Sequence, residues 1–214
     1  MSIVYFVWPV VAYLIGSISS AVWVARKFHG IDIREHGSGN AGATNVLRVL
    51  GTKAALPVFA FDILKGLLAL QLIRLIPGFN FIENPELYTG YEIVLGICVV
   101  LGHIFPIFAS FKGGKGVATI AGALIAISPI PMLMALSVFT VTLIASRYVS
   151  LSSIFAAISF PILVNILYGI FLKPDSTTIT LRIFSFIASA MIVITHRKNI
   201  KRLKAGTESK ISFK

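Results

Sequence analysis

The segment Phe111-Lys-Gly-Gly-Lys-Gly116 combines two lysines and three glycines between two long apolar runs. Glycine lets backbone N–H groups approach a ligand closely, and lysine side chains supply positive charge. The segment is not a Walker nucleotide-binding loop, because Lys115 is followed by Gly116 rather than by serine or threonine. Two lysines alone would be enough to set the side of the membrane on which a loop lies, but that role does not require three glycines. The pattern therefore favours a phosphate-binding site at a membrane surface.

A second glycine-rich segment, His36-Gly-Ser-Gly-Asn-Ala-Gly-Ala-Thr-Asn45, carries side chains that hydrogen-bond phosphate or hydroxyl groups. Arg48 follows Asn45 by three positions, so the two side chains would share one face of a helix. A capped loop that leads into an interfacial helix explains the same composition equally well. Composition alone leaves both interpretations open.

Two shorter polar segments lie at the ends of apolar runs. The arginine of Ser146-Arg-Tyr148 is as typical of an interfacial anchor as of a ligand-binding group. In Thr195-His-Arg-Lys-Asn199, the side chains of His196 and Asn199 are three apart and would face the same way on a continuing helix. A solvated basic tail explains the two cations between them, but not the histidine and the asparagine.

Several familiar catalytic patterns are missing from the sequence. It contains no Gly-x-Ser-x-Gly elbow and no histidine followed five positions later by aspartate. Its single cysteine, Cys98, lies within an apolar run, where packing is the expected role. We therefore expect no covalent intermediate, no cofactor and no metal site of the usual Cys/His kind. Any group transfer should be direct, from an already activated donor.

The composition indicates the elements that must position these segments. Of the 214 residues, 57% are hydrophobic, and the mean hydropathy is +0.90. Such a chain is typical of an all-α polytopic membrane protein. The net charge of +11 falls mostly in short segments between apolar runs, so it indicates topology and contact with anionic membrane lipids rather than nucleic-acid binding. We predict one membrane domain over residues 1–214, with a short basic tail from about residue 196.

The sequence contains seven apolar stretches, which we compare with the roughly 20 residues that a membrane-spanning helix needs. The fourth and fifth are short and are separated only by Ser128-Pro-Ile-Pro131. A tight hairpin of two spans is the natural solution, and one broken helix or a re-entrant pair is the alternative. The stretches are about 3–25, 54–76, 91–110, 117–129, 131–146, 151–172 and 181–195.

The charges alternate from one connection to the next. Cations concentrate after the first, third and fifth stretches and in the tail, whereas the other connections are acidic or neutral, with Glu83, Glu86 and Asp175 opposed only by Lys173. The positive-inside rule then predicts an N-terminus outside and a C-terminus in the cytoplasm. The cations concerned are Arg26, Lys27, Arg34, Arg48, Lys53, Lys112, Lys115 and Arg147, and those of the tail are Arg197, Lys198, Lys201, Arg202, Lys204, Lys210 and Lys214.

Two ionisable residues, Asp62 and Lys65, lie three apart inside the second stretch. Charges at membrane depth are expensive, so we expect the two to pair. A structural ion pair that orients the helix is the favoured interpretation, ahead of a catalytic role.

In order along the chain, these segments resemble the bacterial acyl-phosphate-dependent glycerol-3-phosphate acyltransferases, the PlsY family. The resemblance covers the chain from end to end. One departure is Ser19, where the family often has proline, and we expect it to straighten the first span. The matching stretches are Gly16-Ser-Ile18, Gly37–Asn45 with Arg48, Asp62–Gly66, Gly102–Pro106, Lys112–Thr119, Ser146–Ser153, His196–Leu203 and Gly206-Thr-Glu208.

The resemblance implies a seven-span enzyme of the bacterial inner membrane with its active site at the cytoplasmic face. It would transfer an acyl chain from acyl phosphate to the 1-hydroxyl of glycerol 3-phosphate, giving lysophosphatidic acid and phosphate. The soluble phosphate acyltransferase that makes acyl phosphate is the implied partner upstream.

The resemblance also implies the site residues. The catalytic residues would be Ser38, Lys115, Arg147, His196 and Asn199. The substrate and its phosphates would be bound by Gly37, Gly39, Asn40, Thr44, Asn45, Arg48, Lys112, Gly113, Gly114, Gly116 and Ser146. Which of Lys112 and Lys115 contacts which phosphate stays open.

Two routes remain for the hydroxyl proton. His196 has a suitable ordinary pKa of about 6.5 and could act as the base. Alternatively, His196 only orients glycerol 3-phosphate, whose own phosphate accepts the proton. We favour this substrate-assisted route, because no carboxylate in the sequence is paired with His196.

Two other classes of protein compete with an enzyme. A transporter for a phosphorylated anion would use similar basic loops but needs a polar path through the bilayer, whereas the polar segments here cluster on one predicted side. A non-catalytic lipid-binding scaffold leaves the glycine-rich loops unexplained.

Overall fold

A computed structural model describes residues 4–77, 79, 83–171 and 178–211, which form helices and turns without a β-strand. Three residues of the charge pattern, Lys173, Asp175 and Lys214, lie outside this part of the chain. The described residues divide into two compact units, one of residues 4–77, 79 and 91–127 and the other of residues 83–90 and 128–211. The expectation of a single domain over 1–214 stays a prediction.

The first unit contains the two glycine-rich segments and the buried charges. Short helical turns at Ile33–Glu35 and Ile107–Ala109 lie within its connections. Its helices are α1 (Val4–Gly16), α2 (Ser20–His29), α3 (Ala43–Leu50), α4 (Thr52–Gln71), most of α5 (Pro85–Ile104) and α6 (Val117–Ile127).

The second unit contains the two shorter polar segments. Helix α8 continues at its C-terminal end into a wider helical turn at Leu167–Phe171. The helices are α7 (Pro129–Ser146), α8 (Val149–Ile166), α9 (Ile179–Thr195) and α10 (Arg197–Lys204).

Five segments of the described chain are long and apolar enough to cross a membrane. A sixth is added if α9 and α10, bent by 57°, count as one span, whereas α6 is apolar but has only 11 residues. The number of seven spans and the orientation of the termini therefore stay predictions. The five segments are Tyr5–His29, Thr52–Leu75, Pro85–Ala109, Pro129–Ser146 and Val149–Gly169.

Helices α4 and α6 pack with their backbones in close contact. A methyl group added at Gly66 would overlap the carbonyl oxygen of Thr119, and one added at Gly122 would overlap the carbonyl oxygen of Ile63. Only glycine permits this separation, which is the usual function of small residues between membrane helices. The contact brings Thr119 of α6 close to the charged residues of α4.

The predicted ion pair in α4 is confirmed. The Lys65 ammonium lies 2.8 Å from the Asp62 carboxylate, and the two side chains are 1% and 2% exposed. Lys65 also donates to the carbonyl oxygen of Ile18 at 3.0 Å, and Ser20 donates its hydroxyl to Asp62 at 3.0 Å. Buried charges are tolerated when paired and hydrogen-bonded in this way.

His103 of α5 completes this buried polar cluster. Its Nδ1 lies 3.5 Å from Asp62 Oδ1 and 3.2 Å from the hydroxyl oxygen of Thr119. The cluster therefore joins residues from α2, α4, α5 and α6 in the interior of the first unit.

Ser19 lies at a break within the first candidate span, Tyr5–His29, and the expectation that this residue straightens the span stays a prediction. Helix α1 ends at Gly16 and α2 begins at Ser20, so the helix is interrupted at residues 17–19. At the interruption, the carbonyl oxygen of Ile18 accepts from the backbone N–H of Ser20 at 3.2 Å and from the Lys65 ammonium. A carbonyl inside a continuous helix would instead accept from the backbone N–H four residues later.

We predict that Lys65→Met strongly destabilises the protein, because it leaves the Asp62 carboxylate buried without its cation. Breaking a buried pair costs about 3–5 kcal/mol, and for a chain of this size this lowers the melting temperature by roughly 10 °C. Thermal unfolding in detergent measures the loss. Lys53→Met, at an exposed position of the same helix, is the matched control and should unfold near the wild-type temperature. Equal melting temperatures for both variants would contradict a stabilising role of the pair.

Candidate functional site

In the first unit, Asp32 and Arg34 hold the connection between α2 and α3. The guanidinium of Arg34 donates from Nε and Nη2 to the two Asp32 carboxylate oxygens at 2.9 and 2.6 Å, and the backbone N–H of Arg34 donates to the same carboxylate at 3.0 Å. These hydrogen bonds, with a further one from Arg26, hold the pKa of Asp32 far below its ordinary value. Asp32 therefore stays ionised and fixes the start of the glycine-rich segment.

Asn45 holds the following loop from within. Its side-chain amide donates to the carbonyl oxygens of Ile33 and His36, both at 3.0 Å, and its oxygen accepts from the N–H of Ser38 at 2.8 Å. Gly37 has a left-handed φ of 61°, and a methyl group there would overlap the Asn45 side chain. Asn45 is thus placed to shape the loop that presents Ser38, and its predicted phosphate contact stays a prediction.

The lysine–glycine segment folds back on the end of α5. The N–H groups of Gly113 and Gly114 donate to the carbonyl oxygens of Ile104 and His103, each at 3.1 Å. They satisfy carbonyls that the end of a helix leaves without intrahelical partners. These two N–H groups are therefore engaged in ending the helix and do not face an anion.

Gly114 lies directly against the His103 imidazole, which a methyl group at that position would overlap. His103 belongs to the buried polar cluster, so the lysine–glycine segment rests on the same interior network as the Asp62–Lys65 pair. Lys112 is exposed and Lys115 is half-buried on either side of this contact. The segment is therefore anchored at its glycines, between its two cations.

In the second unit, the chain turns sharply between α7 and α8. Arg147 adopts a left-handed φ of 62°, an uncommon conformation for a residue other than glycine. Ser146 donates its hydroxyl to the Thr142 carbonyl at 2.7 Å and accepts from the N–H of Tyr148 at 3.2 Å. The carbonyl oxygen of Arg147 accepts from the N–H of Ile211 at 2.9 Å. The basic tail therefore packs against this turn, and the Arg147 side chain remains exposed.

His196 lies at the junction of α9 and α10 and is 3% exposed. Its Nδ1 lies 2.8 Å from the carbonyl oxygen of Ile192. A carbonyl can only accept, so Nδ1 donates, and the lone pair of the neutral ring resides on Nε2. The expectation of a continuing helix is wrong, because the chain bends by 57° at this histidine.

Glu208 accepts hydrogen bonds from residues at both polar segments of the second unit. One carboxylate oxygen accepts from Asn199 at 2.7 Å and from the Ser150 hydroxyl at 2.8 Å, and the other accepts from Arg202 at 2.6 Å. Partial burial alone would raise the pKa of Glu208, but these hydrogen bonds hold that pKa below its ordinary value. Glu208 is therefore ionised at neutral pH and orients the Asn199 amide.

The structure thus places the predicted site residues in two clusters, one in each unit. The first cluster consists of residues 32–48 with residues 103–116, and the second of residues 146–150 with residues 196–211. Six predicted residues are exposed: Gly37, Ser38, Gly39, Arg48, Lys112 and Arg147. Five are half-buried, Asn40, Thr44, Gly113, Lys115 and Ser146, and five are buried, Asn45, Gly114, Gly116, His196 and Asn199.

Two residues that organise these clusters are not evident from the sequence. Arg34 stands among the cations of the charge pattern, and Glu208 lies in a matching stretch. The role of each residue depends on contacts with residues that are distant in sequence or across a turn. Such contacts cannot be predicted from the spacing of residues along the chain. Within the described residues, no three His, Cys, Asp or Glu side chains are grouped so that they could hold a metal ion.

Comparison with known proteins gives consistent matches along the whole chain. The family model described as glycerol-3-phosphate acyltransferase matches residues 6–206. The glycerol-3-phosphate acyltransferase of Chlorobaculum parvum is 45% identical over 221 residues, with 95% of this chain and 94% of the relative covered. That of Thermoanaerobacter sp. strain X514 is 45% identical over 205 residues, with 96% and 94% covered.

Two solved structures share the fold. The crystal structure of PlsY (YgiH), an integral membrane glycerol 3-phosphate acyltransferase, in its glycerol 3-phosphate form has a TM-score of 0.78 and 36% identity, with 97% of this chain and 96% of that chain covered. The lysophosphatidic acid form has a TM-score of 0.76 and 36% identity, with 98% and 96% covered.

Proposed function

Since the chain belongs to the PlsY family of glycerol-3-phosphate acyltransferases, we propose that it transfers an acyl group from acyl phosphate to the 1-hydroxyl of glycerol 3-phosphate. The products are lysophosphatidic acid and inorganic phosphate. The assignment of the acceptor and the product is supported by the crystal structures of PlsY, one in a glycerol 3-phosphate form and one in a lysophosphatidic acid form. The choice of acyl phosphate as the donor comes from the resemblance of the sequence motifs to this family, and the chemistry of the clusters is compatible with it.

The exposed cations of each cluster are compatible with a phosphorylated donor, and the leaving group fits the lack of a strong acid. Glycerol 3-phosphate needs cationic groups for its one phosphate, and a second phosphorylated substrate needs more of them. Arg48 and Lys112 are exposed in the first cluster and Arg147 in the second. Inorganic phosphate leaves as a stable anion, so the reaction requires no strong general acid to protonate the leaving group.

The reaction is direct attack on the donor. The oxygen of the 1-hydroxyl forms a bond to the acyl carbon, and the bond from that carbon to the phosphate oxygen breaks. Cationic side chains and N–H groups stabilise the negative charge that develops on the carbonyl oxygen. A cysteine nucleophile is not involved, because the single cysteine, Cys98, lies in the apolar helix α5.

His196 and the substrate phosphate are the two candidates for taking the hydroxyl proton. Because Nδ1 of His196 donates to Ile192, Nε2 of the neutral ring is the atom that accepts a hydrogen bond or a proton. The partner of Nδ1 is a carbonyl rather than the carboxylate that typically stabilises a catalytic imidazolium. We therefore favour the route in which His196 orients glycerol 3-phosphate and the substrate phosphate accepts the proton.

The same proposal includes the topology. The chain would cross the bacterial inner membrane seven times as one domain over residues 1–214, with the N-terminus outside and the C-terminus and the site residues on the cytoplasmic side. Acyl phosphate would come from a soluble phosphate acyltransferase. The distribution of cations along the sequence supports this orientation.

The donor assignment predicts that purified protein in lipid acylates glycerol 3-phosphate from acyl phosphate, and not from acyl-CoA or acyl carrier protein of the same chain length. Chromatography of the lipid product and a colorimetric phosphate assay should give equal amounts of lysophosphatidic acid and phosphate. Faster product formation from acyl-CoA would overturn the donor assignment. Phosphate uptake into vesicles without any lipid product would instead favour a transporter.

The proton route predicts a specific kinetic result for His196→Ala. If His196 orients the acceptor, the KM for glycerol 3-phosphate rises while kcat at saturating substrate stays within about tenfold of wild type. An obligatory general base contributes about 10²–10⁴-fold, so its removal would lower kcat by that factor at every substrate concentration. Steady-state kinetics with both substrates varied distinguishes the two outcomes.

A further inference from the structure

Arg34 joins two segments that are distant in sequence. Besides its two bonds to Asp32, its Nη1 donates to the carbonyl oxygen of Ala109 at 2.8 Å, across 75 positions of the chain. Ala109 ends the short turn that leads into the lysine–glycine segment, and Arg34 lies just before the loop that presents Ser38. One guanidinium therefore contacts both sides of the first cluster.

The geometry of this contact is well defined. The Arg34 side chain is 18% exposed and the Asp32 side chain 14%, so the pair is mostly shielded from water. The planar fork of arginine fits a carboxylate with two parallel bonds, and here a third donor of the same rigid group reaches Ala109. With Asp32 fixed by the fork, the direction of the bond to Ala109 is fixed as well.

Arg26 provides a natural comparison. It also contacts the Asp32 carboxylate, at 2.7 Å, but its side chain is 60% exposed. Its bond joins α2 to Asp32 in the connection that follows this helix, and it does not link that connection to residues 107–111. The two arginines thus share a charge and a partner, and they differ in whether they connect the two segments.

The loop on one side of Arg34 is held together by hydrogen bonds to one side chain. Asn45 ties Ile33, His36 and Ser38 together, so a displacement of Arg34 moves the backbone that presents Ser38. On the other side, the N–H of Lys112 donates to the Ala109 carbonyl at 3.2 Å, and therefore the same carbonyl oxygen contacts both Arg34 and the lysine–glycine segment.

We propose that Arg34 is a positioning residue for acyl transfer, which sets the spacing between the Ser38 loop and the Lys112–Gly116 segment through its simultaneous bonds to Asp32 and Ala109. This inference rests on the proposed function, because it assumes that these two segments together bind the phosphorylated substrates. Arg34 contacts no substrate in this proposal. Loss of the Arg34 side chain weakens substrate binding, because it alters the distance between the groups that bind the substrates.

The test compares Arg34→Gln, Arg34→Lys and the control Arg26→Gln in lipid. For Arg34→Gln we expect the KM of at least one phosphorylated substrate to rise about tenfold or more, which corresponds to about 1.4 kcal/mol of lost binding free energy. Arg34→Lys should not restore the wild-type KM, since one ammonium group cannot form both the paired bonds to Asp32 and the bond to Ala109. Arg26→Gln should stay within about twofold of wild type.

KM is the decisive readout, because a loss of folded protein lowers the apparent kcat in proportion but leaves the KM of the remaining active enzyme unchanged. Equal KM values for Arg34→Gln and Arg26→Gln, or full restoration by Arg34→Lys, would overturn the positioning role. Titration of the same proteins with glycerol 3-phosphate separates this inference from the proposed function. A wild-type protein that binds this ligand without acylating it refutes the function, while the affinities of the variants still decide the role of Arg34.

Discussion

The buried ion pair of Asp62 and Lys65 is the constraint on which the first unit depends. A charge in an apolar interior must be neutralised and fully hydrogen-bonded, because water is not available to solvate it. Lys65 obtains its second partner from the Ile18 carbonyl, which requires the interruption between α1 and α2. Asp62 obtains its further contacts from Ser20 and His103. The hydrogen bonds that this buried ion pair requires thus determine where α2, α4 and α5 meet.

His103 extends this constraint to the candidate site, because Gly114 packs directly on its imidazole. The glycines of the lysine–glycine segment consequently serve close packing and helix termination, while the lysines on either side supply the charge. A similar division holds in both clusters. Asp32 and Glu208 are ionised carboxylates that orient neighbouring donors, Arg34 in the first cluster and Asn199 in the second. In each cluster the acidic group therefore orients the donors beside it, and the binding of substrates by cations and amides stays a proposal.

The sequence predicted those features that depend on local spacing or composition. The pairing of Asp62 with Lys65 followed from two charges three apart in an apolar helix, and the polar segments were identified by their residue types. Features that depend on distant partners were not predictable. The interruption at residues 17–19 is stabilised by Lys65, and the role of Arg34 requires Ala109, 75 positions away. The bend at His196 was missed because the sequence there contains neither proline nor glycine.

Direct acyl transfer between two phosphorylated substrates forms no acyl-enzyme. Its most direct test is the intact mass of the protein after incubation with acyl phosphate alone, combined with measurement of released phosphate. We expect an unmodified protein and the release of phosphate only after glycerol 3-phosphate is added. An acyl adduct in stoichiometric amount, formed with a burst of phosphate before the acceptor is present, would contradict it.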